Sequence, residues 1–411
     1  MRTGLLGEKL VYSYSPQIHA FFGTYSYELF EVARDKLDEF MKSDRFDALN
    51  VTIPYKRDVI PYCAELTDAA KQIGSVNTIV RREDGTLLGD NTDAAGFTAM
   101  LKRLNVDPRG KKALILGSGG AMLTLRYVLN KLGAREVVVI SRRGEDNYDN
   151  IDHHADADIL VNATPIGTYP NCGVSLVDLK KLPKLSAVLD IVYNPARTRL
   201  LMDAQALGIP CIGGLTMLVE QARAAAECFL GWNISDDLAR KAYASVLRDT
   251  QNIVLIGMPG SGKTTLADEL AKLTGRAAVD ADDLITQACG MSIPDYFAAH
   301  SEAEFRDIET HVLAKLCAQS SLVIATGGGC VTRGENRDIL RQNGKVFYIR
   351  RDLSLLPVDG RPISQRTPLD KMFAARDPLY RAFADAEIDN EGMASAVAHE
   401  IWEVYNEIAG D

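Results

Sequence analysis

Two glycine-rich turns in this chain have the residue types and spacing to hold phosphate groups. The more complete is Gly257-Met258-Pro259-Gly260-Ser261-Gly262-Lys263-Thr264, followed by Thr265. It meets the pattern G-x-x-x-x-G-K-[ST] in full, after an apolar run (252–257) and before a helical one (266–273). In that context glycines let the backbone curl so that successive N–H groups point at phosphate oxygens. Lys263 would reach the β- and γ-phosphates and Thr264 would ligate Mg²⁺, so the turn predicts a nucleoside triphosphate site. The other turn is Gly117-Ser118-Gly119-Gly120-Ala121, entered from the apolar run 112–117. A helical run (121–132) and a second strand (136–140) complete a βαβ unit, the setting of a dinucleotide site. The acid expected after that second strand is replaced by Ser141-Arg142-Arg143. Two guanidinium groups suit a 2′-phosphate, so NADP is expected in preference to NAD.

Further polar constellations follow each turn or precede it. After the phosphate loop come Asp280-Ala281-Asp282, then Phe305-Arg306-x-x-Glu309, Gly327-Gly328-Gly329, Arg361-Pro362 and Arg376-Asp377-Pro378-Leu379-Tyr380. The first of these closes a short strand, and alternation would put Asp280 and Asp282 on one side of it. The arginines suit a planar carboxylate, because the guanidinium fork donates two parallel hydrogen bonds. In the front segment stand Ser13-Tyr14-Ser15-Pro16, Asn50-Val51-Thr52-Ile53-Pro54-Tyr55-Lys56, Ser75-Val76-Asn77-Thr78 and Gly89-Asp90-Asn91-Thr92-Asp93. Later come Asn162-Ala163-Thr164-Pro165, Asp190-Ile191-Val192-Tyr193 and Gly214-Leu215-Thr216-Met217-Leu218-Val219-Glu220-Gln221.

Over about 251–411 the order and spacing of these motifs resemble the shikimate kinases, a branch of the nucleoside-monophosphate-kinase-like fold. The resemblance implies that Asp280 holds Mg²⁺ through water and that Asp282 is the base for the acceptor hydroxyl. Arg306 and Arg376 would bind the substrate carboxylate, Gly328 would contact the ring, and Arg361 would cover the transferring phosphoryl group from a lid. Gly257, Gly260, Ser261, Gly262, Thr264 and Thr265 would cradle ATP.

Over essentially 1–248 the succession resembles shikimate dehydrogenase. That resemblance implies that Ser13 and Ser15 bind the substrate carboxylate, that Asn50, Thr52, Asn77, Tyr193 and Gln221 read its hydroxyls, and that Lys56 and Asp93 form the catalytic pair. Gly117, Ser118, Gly119, Gly120, Ala121, Arg142, Arg143 and Thr164 would hold NADP, and Gly214 would line the nicotinamide end. The chemistry agrees: a carbonyl accepting hydride needs a proton donor, and a lysine beside a carboxylate in a partly desolvated cleft supplies one.

The elements that must position these residues are legible in outline. The chain has 411 residues, enough for two to three domains. Short apolar runs at 27–32, 47–53, 112–117, 136–140, 158–162, 187–192, 252–257, 321–326 and 345–349 alternate with amphipathic stretches. This predicts α/β architecture with mainly parallel sheets. The expected division is a substrate lobe of 1–98 plus 214–248, a Rossmann-like NADP lobe of 99–213 and a P-loop kinase domain of 251–411. The amphipathic run 236–249, with Ser235 as its N-cap, marks the junction.

Composition removes other classes. The net charge of −9 argues against a bulk nucleic-acid binder or a basic membrane-surface protein. No apolar run approaches the length of a membrane helix, the front segment lacks the apolar core of a signal peptide, and the seven cysteines form no metal-spaced cluster. The six histidines fit none of the motifs. The expectation is a cytoplasmic enzyme acting on small molecules, without nucleic-acid or membrane partners and with a homo-oligomer left open. The two resemblances together imply NADPH-dependent reduction of 3-dehydroshikimate to shikimate, then MgATP-dependent phosphorylation of shikimate. The alternative is a dehydrogenase of broader quinate/shikimate specificity whose kinase-like part is weakly active or regulatory.

Overall fold

The computed structural model describes residues 1–10, 13–169, 171–356 and 368–409. They divide into two compact units, one of 1–166, 175–193 and 200–246, the other of 167–174, 194–199 and 247–411.

The first unit holds two sheets. Strands β1 (Arg2–Gly7), β2 (Ser26–Glu31), β3 (Ala48–Val51), β4 (Glu65–Leu66), β5 (Thr78–Arg81) and β6 (Leu87–Asp90) form one, in the order β2-β1-β3-β5-β6-β4. Here β1 pairs in parallel with β2 and β3, whereas β5 is antiparallel to both β3 and β6. β4 and β6 also pair in parallel, so three of the five pairings are parallel as expected, and the two antiparallel ones both belong to β5. The reason is local: Asp84 accepts from Thr86 N–H at 2.9 Å and Gly85 adopts φ 83°, a tight reversal that folds β5 back on β6 as a hairpin. The strands β1, β5 and β6 mix apolar residues with glycine, threonine or charged ones, so no continuous apolar run marks them.

The second sheet is β7 (Lys112–Leu116), β8 (Glu136–Ile140), β9 (Ile159–Asn162), β10 (Ala187–Asp190) and β11 (Cys211–Ile212), all parallel in the order β11-β10-β9-β7-β8. Its inner strands are buried along their whole length, as continuous apolar runs covered on both faces should be. Strand order reverses at β7. In open parallel sheets the crevice at such a reversal, outside the carboxyl ends of the strands, is where ligands bind.

The second unit has one parallel sheet, β12 (Asn252–Ile256), β13 (Ala277–Asp280), β14 (Leu322–Ala325), β15 (Gly344–Arg350) and β16 (Ala386–Asp389), in the order β13-β14-β12-β15-β16. Alternate residues feed two cores. Val254, Ile256, Ile324, Val346 and Tyr348 face one side, and Ile253, Leu255, Val323, Phe347 and Ile349 face the other.

One motif changes element. Asp280 ends β13, but Ala281 and Asp282 open the helix Ala281–Cys289. Asp280 is its N-cap, with Oδ1 accepting from Asp282 N–H at 2.9 Å. The two acids are thus presented by a cap and a first helical turn, not by strand alternation. A carboxylate at the N-cap satisfies an otherwise unpaired N–H, which favours helix over further strand.

Candidate active sites

In the second unit the site gathers at the carboxyl ends of four parallel strands. The phosphate loop leaves β12, Asp280 ends β13, the triple glycine follows β14 and Arg351 follows β15. Gly257, Gly260 and Gly262 adopt φ of 149°, 85° and 93°, which L side chains resist, so the loop can curl. It delivers Lys263 at the start of the helix Lys263–Thr274. The Lys263 ammonium donates to the carbonyls of Gly257 at 2.9 Å and Met258 at 3.0 Å. Asn390, the residue after β16, donates to the Ser261 carbonyl at 2.7 Å and braces the loop. Thr264 Oγ1 lies 2.7 Å from Asp280 Oδ2. That pair is a hard, oxygen-only donor set with few protein ligands, which fits Mg²⁺, an ion that keeps waters and phosphate oxygens.

A cavity of about 670 Å³ opens over this loop, lined among others by Gly260, Gly262, Lys263, Thr264, Thr265, Asp280, Asp282, Arg306, Gly328 and Arg376. Burial, then the Asp280 charge, pushes the Asp282 carboxyl above its ordinary range, as suits a proton acceptor. Arg306 is almost wholly buried on the helix Glu302–Cys317. Its Nη1 donates to Glu309 at 2.8 Å and its Nη2 to Glu302 at 3.0 Å. The guanidinium lies flat on Gly329, where a Cβ would come within 2.1 Å of Nη2. Arg376, from the helix Leu369–Phe383, donates to the Gly328 carbonyl at 3.1 Å, and Tyr380 from the same helix donates to that oxygen too. Two guanidinium groups thus converge in one cavity with the half-buried Asp282 carboxylate and a phosphate loop. Gly257 and Ser261 lie behind the cavity wall rather than on it. Arg361 lies outside the described residues.

In the first unit, Lys56 follows β3 and Asp93 opens the helix Asp93–Arg103. The Lys56 ammonium donates to Asp93 Oδ2 at 2.6 Å, and both side chains keep partial exposure, 31% and 19%. Asn77 Nδ2 donates to Asp93 Oδ1 at 2.9 Å, so both carboxylate oxygens are held. Asn77 is in turn fixed by Thr92 N–H, which donates to its Oδ1 at 2.7 Å. Asn50, on β3, receives a hydrogen bond from Tyr27 at 2.8 Å. Ser13 Oγ accepts from Ser15 N–H at 3.2 Å. Tyr193 follows β10, is 39% exposed and meets the Tyr14 ring edge-on. Thr52 N–H donates to Leu6 O at 2.9 Å, which ties the loop after β3 to β1. Gln221 donates to Leu218 O within its own helix at 2.9 Å.

The dinucleotide turn leaves β7. Nothing lies within 4 Å of the positions a Cβ would take on Gly119 and Gly120, so this backbone faces open space that a pyrophosphate can enter. Ser118, Ser141, Arg142 and Arg143 line a cavity of about 480 Å³. Ala121 stands in the first turn of the helix Gly120–Lys131. Gly117 (φ 102°) packs against Thr164, whose hydroxyl donates to Asn162 Oδ1 at 2.7 Å. Gly214 precedes the helix Leu215–Leu230 and packs on the Ile191 backbone. These residues fit an NADP that spans the ends of β7, β8, β9 and β10.

Sequence reasoning missed Arg351 and Phe297, both of which line the kinase-type cavity. Arg351 had a usable signal, since it follows the apolar run 345–349 and so had to emerge at the ligand-binding ends of the strands. Phe297 had none. It reaches the site only because the helix Ile293–Ala299 packs its ring 4.5 Å from that of Phe305.

Comparison with known proteins identifies the families that the two parts resemble. The profile of the family "Shikimate dehydrogenase substrate binding domain" matches residues 5–79, and that of "Shikimate kinase" matches 259–406. The shikimate dehydrogenase (NADP(+)) of Clostridium beijerinckii is 35% identical over 260 residues, covering 59% of this chain and 96% of that protein. The crystal structure of a chorismate mutase/shikimate 5-dehydrogenase fusion protein from Clostridium acetobutylicum superposes with a TM-score of 0.56 at 34% identity, over 59% of this chain and 96% of that one. The shikimate 5-dehydrogenase of Thermus thermophilus in complex with NADP(H) and shikimate gives 0.54 at 30%, over 60% and 99%. The chain belongs to the shikimate dehydrogenase family and continues, on the same polypeptide, into a shikimate kinase domain.

Proposed function

We propose that this chain is a bifunctional shikimate-pathway enzyme. Its front part, 1–98 with 214–248 as substrate lobe and 99–213 as NADP lobe, reduces 3-dehydroshikimate to shikimate. Its 251–411 part phosphorylates shikimate with ATP. The observation that carries the reading is the presence of two acid–base centres in one chain, Lys56 paired with Asp93 at 2.6 Å and the half-buried Asp282 in the cavity over a phosphate loop.

In the reductase, NADPH when bound supplies the hydride. Lys56 stands ready to protonate the oxygen that gains negative charge, and Asp93 holds the ammonium in place and takes part in its reprotonation. Arg142 and Arg143 hold the 2′-phosphate, and Gly117 to Ala121 with Thr164 hold the rest of the dinucleotide. Gly214 borders the nicotinamide end. Ser13 and Ser15 hold the substrate carboxylate, while Asn50, Thr52, Asn77, Tyr193 and Gln221 read its hydroxyls.

In the kinase, Asp282 accepts the proton of the attacking hydroxyl. Arg306 and Arg376 fix the acid's carboxylate, and Gly328 supports the ring. Lys263 and Arg361 neutralise charge on the transferring phosphoryl group, the main task in such a reaction. Thr264 and Asp280 would hold Mg²⁺, which screens the phosphate oxygens. The hydroxyl made by the reductase is the one the kinase phosphorylates, which gives the fusion a chemical rationale. No described helix is long and apolar enough to cross a membrane, in keeping with a cytoplasmic site of action.

The test is a coupled assay from 3-dehydroshikimate, NADPH and MgATP, with the product identified by mass. A shikimate phosphate confirms both halves. Accumulation of unphosphorylated shikimate would leave only the reductase, and unreacted 3-dehydroshikimate would refute the reductase.

A further inference from the structure

The Lys56–Asp93 pair ends a longer polar chain. Asp93 is held by Asn77, and Asn77 Oδ1 accepts from Thr78 Oγ1 at 3.0 Å. Thr78 Oγ1 accepts from Asn50 Nδ2 at 3.3 Å, and Asn50 Oδ1 accepts from Tyr27 at 2.8 Å. The far end of this chain, Tyr27, lies in β2 and belongs to none of the motifs that pointed to the site.

The Asn50 amide has one allowed orientation. Its Nδ2 faces the Asn77 main-chain carbonyl at 3.4 Å, which can only accept. Oδ1 therefore faces Tyr27, which must be the donor. Burial pushes the Tyr27 hydroxyl well above the ordinary phenol range, so it keeps its proton. The ring beneath is fixed as well: His19 stacks on Tyr27 at 4.1 Å and 17°, with Nδ1 2.7 Å from the Tyr25 hydroxyl. Burial pushes the His19 imidazole down to about 3, so the stack is uncharged at neutral pH.

We infer that Tyr27 is a positioning residue of the dehydrogenase site, which acts through Asn50. The Asn50 Nδ2 faces Asn77 O and Thr78 Oγ1 and its Oδ1 faces Tyr27, so these three groups set the plane of the amide that meets the substrate. This rests on the reading of Asn50 as a residue that reads a substrate hydroxyl.

The test is a double-mutant cycle in the full chain, followed as shikimate oxidation with NADP⁺. Tyr27→Phe keeps the ring stack and removes one donor. It should raise KM for shikimate about fivefold, the worth of one ordinary hydrogen bond, with KM for NADP⁺ and kinase turnover unchanged. In an Asn50→Ala background the same change should alter KM less than about twofold, because the interaction it removes is already gone. An equal factor in both backgrounds, or an equal rise in KM for NADP⁺, overturns the role of Tyr27 and leaves the reading of Asn50 intact. An Asn50→Ala variant with unchanged KM for shikimate overturns both.

Discussion

Thr264 and Asp280 come from the first turn of one helix and the last residue of a strand, sixteen positions apart, and their oxygens meet at 2.7 Å. Neither makes a metal site alone. Together they would hold Mg²⁺, Thr264 directly and Asp280 through water. Asp280→Asn should raise the Mg²⁺ concentration for half-maximal kinase activity by about tenfold, as loss of a charged partner to a metal-bound water predicts. A Mg²⁺ titration at saturating ATP measures this, and NADPH oxidation in the same preparation should not change.

Lys56→Ala removes the proposed proton donor of the reductase and the cation paired with Asp93. The expected loss in kcat for 3-dehydroshikimate reduction is about a thousandfold, within the range of general acid–base catalysis. Shikimate-dependent release of ADP should stay at the level of the parent chain. Equal loss of both activities would contradict two independent chemical centres.

Arg142→Ala combined with Arg143→Ala should raise KM for NADPH by about a hundredfold, since charge-assisted bonds to phosphate are the stronger kind. KM for NADH, which lacks the 2′-phosphate, should barely move. An unchanged preference between the two coenzymes would assign the 2′-phosphate to other groups.

Asp282→Asn should abolish phosphoryl transfer and, at neutral pH, stabilise the kinase unit against urea. The sign follows from burial, which raises the carboxyl above its unfolded value. The folded state then binds protons more tightly than the unfolded one, and ionised Asp282 costs stability at neutral pH. The gain from asparagine is full above the raised value. It fades as the pH falls and vanishes below the ordinary carboxylate range, where aspartate is protonated in both states. Urea midpoints at several pH values would check this, and a gain independent of pH would refute it.

Gly329→Ala places a methyl within 2.1 Å of the Arg306 guanidinium, which is buried and held by Glu302 and Glu309. The arginine must leave its seat. KM for shikimate in the kinase reaction should rise at least about tenfold, the loss of one charge-assisted contact to the carboxylate. KM for ATP, governed by the phosphate loop, should change little.

Much of this was legible along the chain. The phosphate loop is local: its pattern, the preceding apolar strand and the following helix all lie within about twenty residues, and its conformation is forced by glycines with positive φ. The pair Arg142 and Arg143 was legible for the same reason, as the position after a second βαβ strand is defined by counting. Asp280 and Asp282 were legible as a pair but not as a cap, because one capping hydrogen bond decided between strand and helix.

What spacing could not convey is contact between distant segments. Lys56 and Asp93 are 37 positions apart, and only the strand order β3-β5-β6, which brings the segment after β6 near the loop after β3, puts them at 2.6 Å. Tyr27 carries no motif at all, and its bond to Asn50 exists because parallel pairing of β1 with both β2 and β3 puts Tyr27 opposite Thr3 and Asn50 opposite Leu5, on one face of the sheet and two positions apart, within reach of a tyrosine side chain. The amino-acid sequence by itself determined which groups are available, two phosphate cradles, a lysine with its carboxylate and a set of arginines, since side-chain chemistry and backbone freedom are local properties. The tertiary structure alone decided which of them share a hydrogen bond or a desolvated pocket, since burial and proximity are set by strand order and packing rather than by position in the chain.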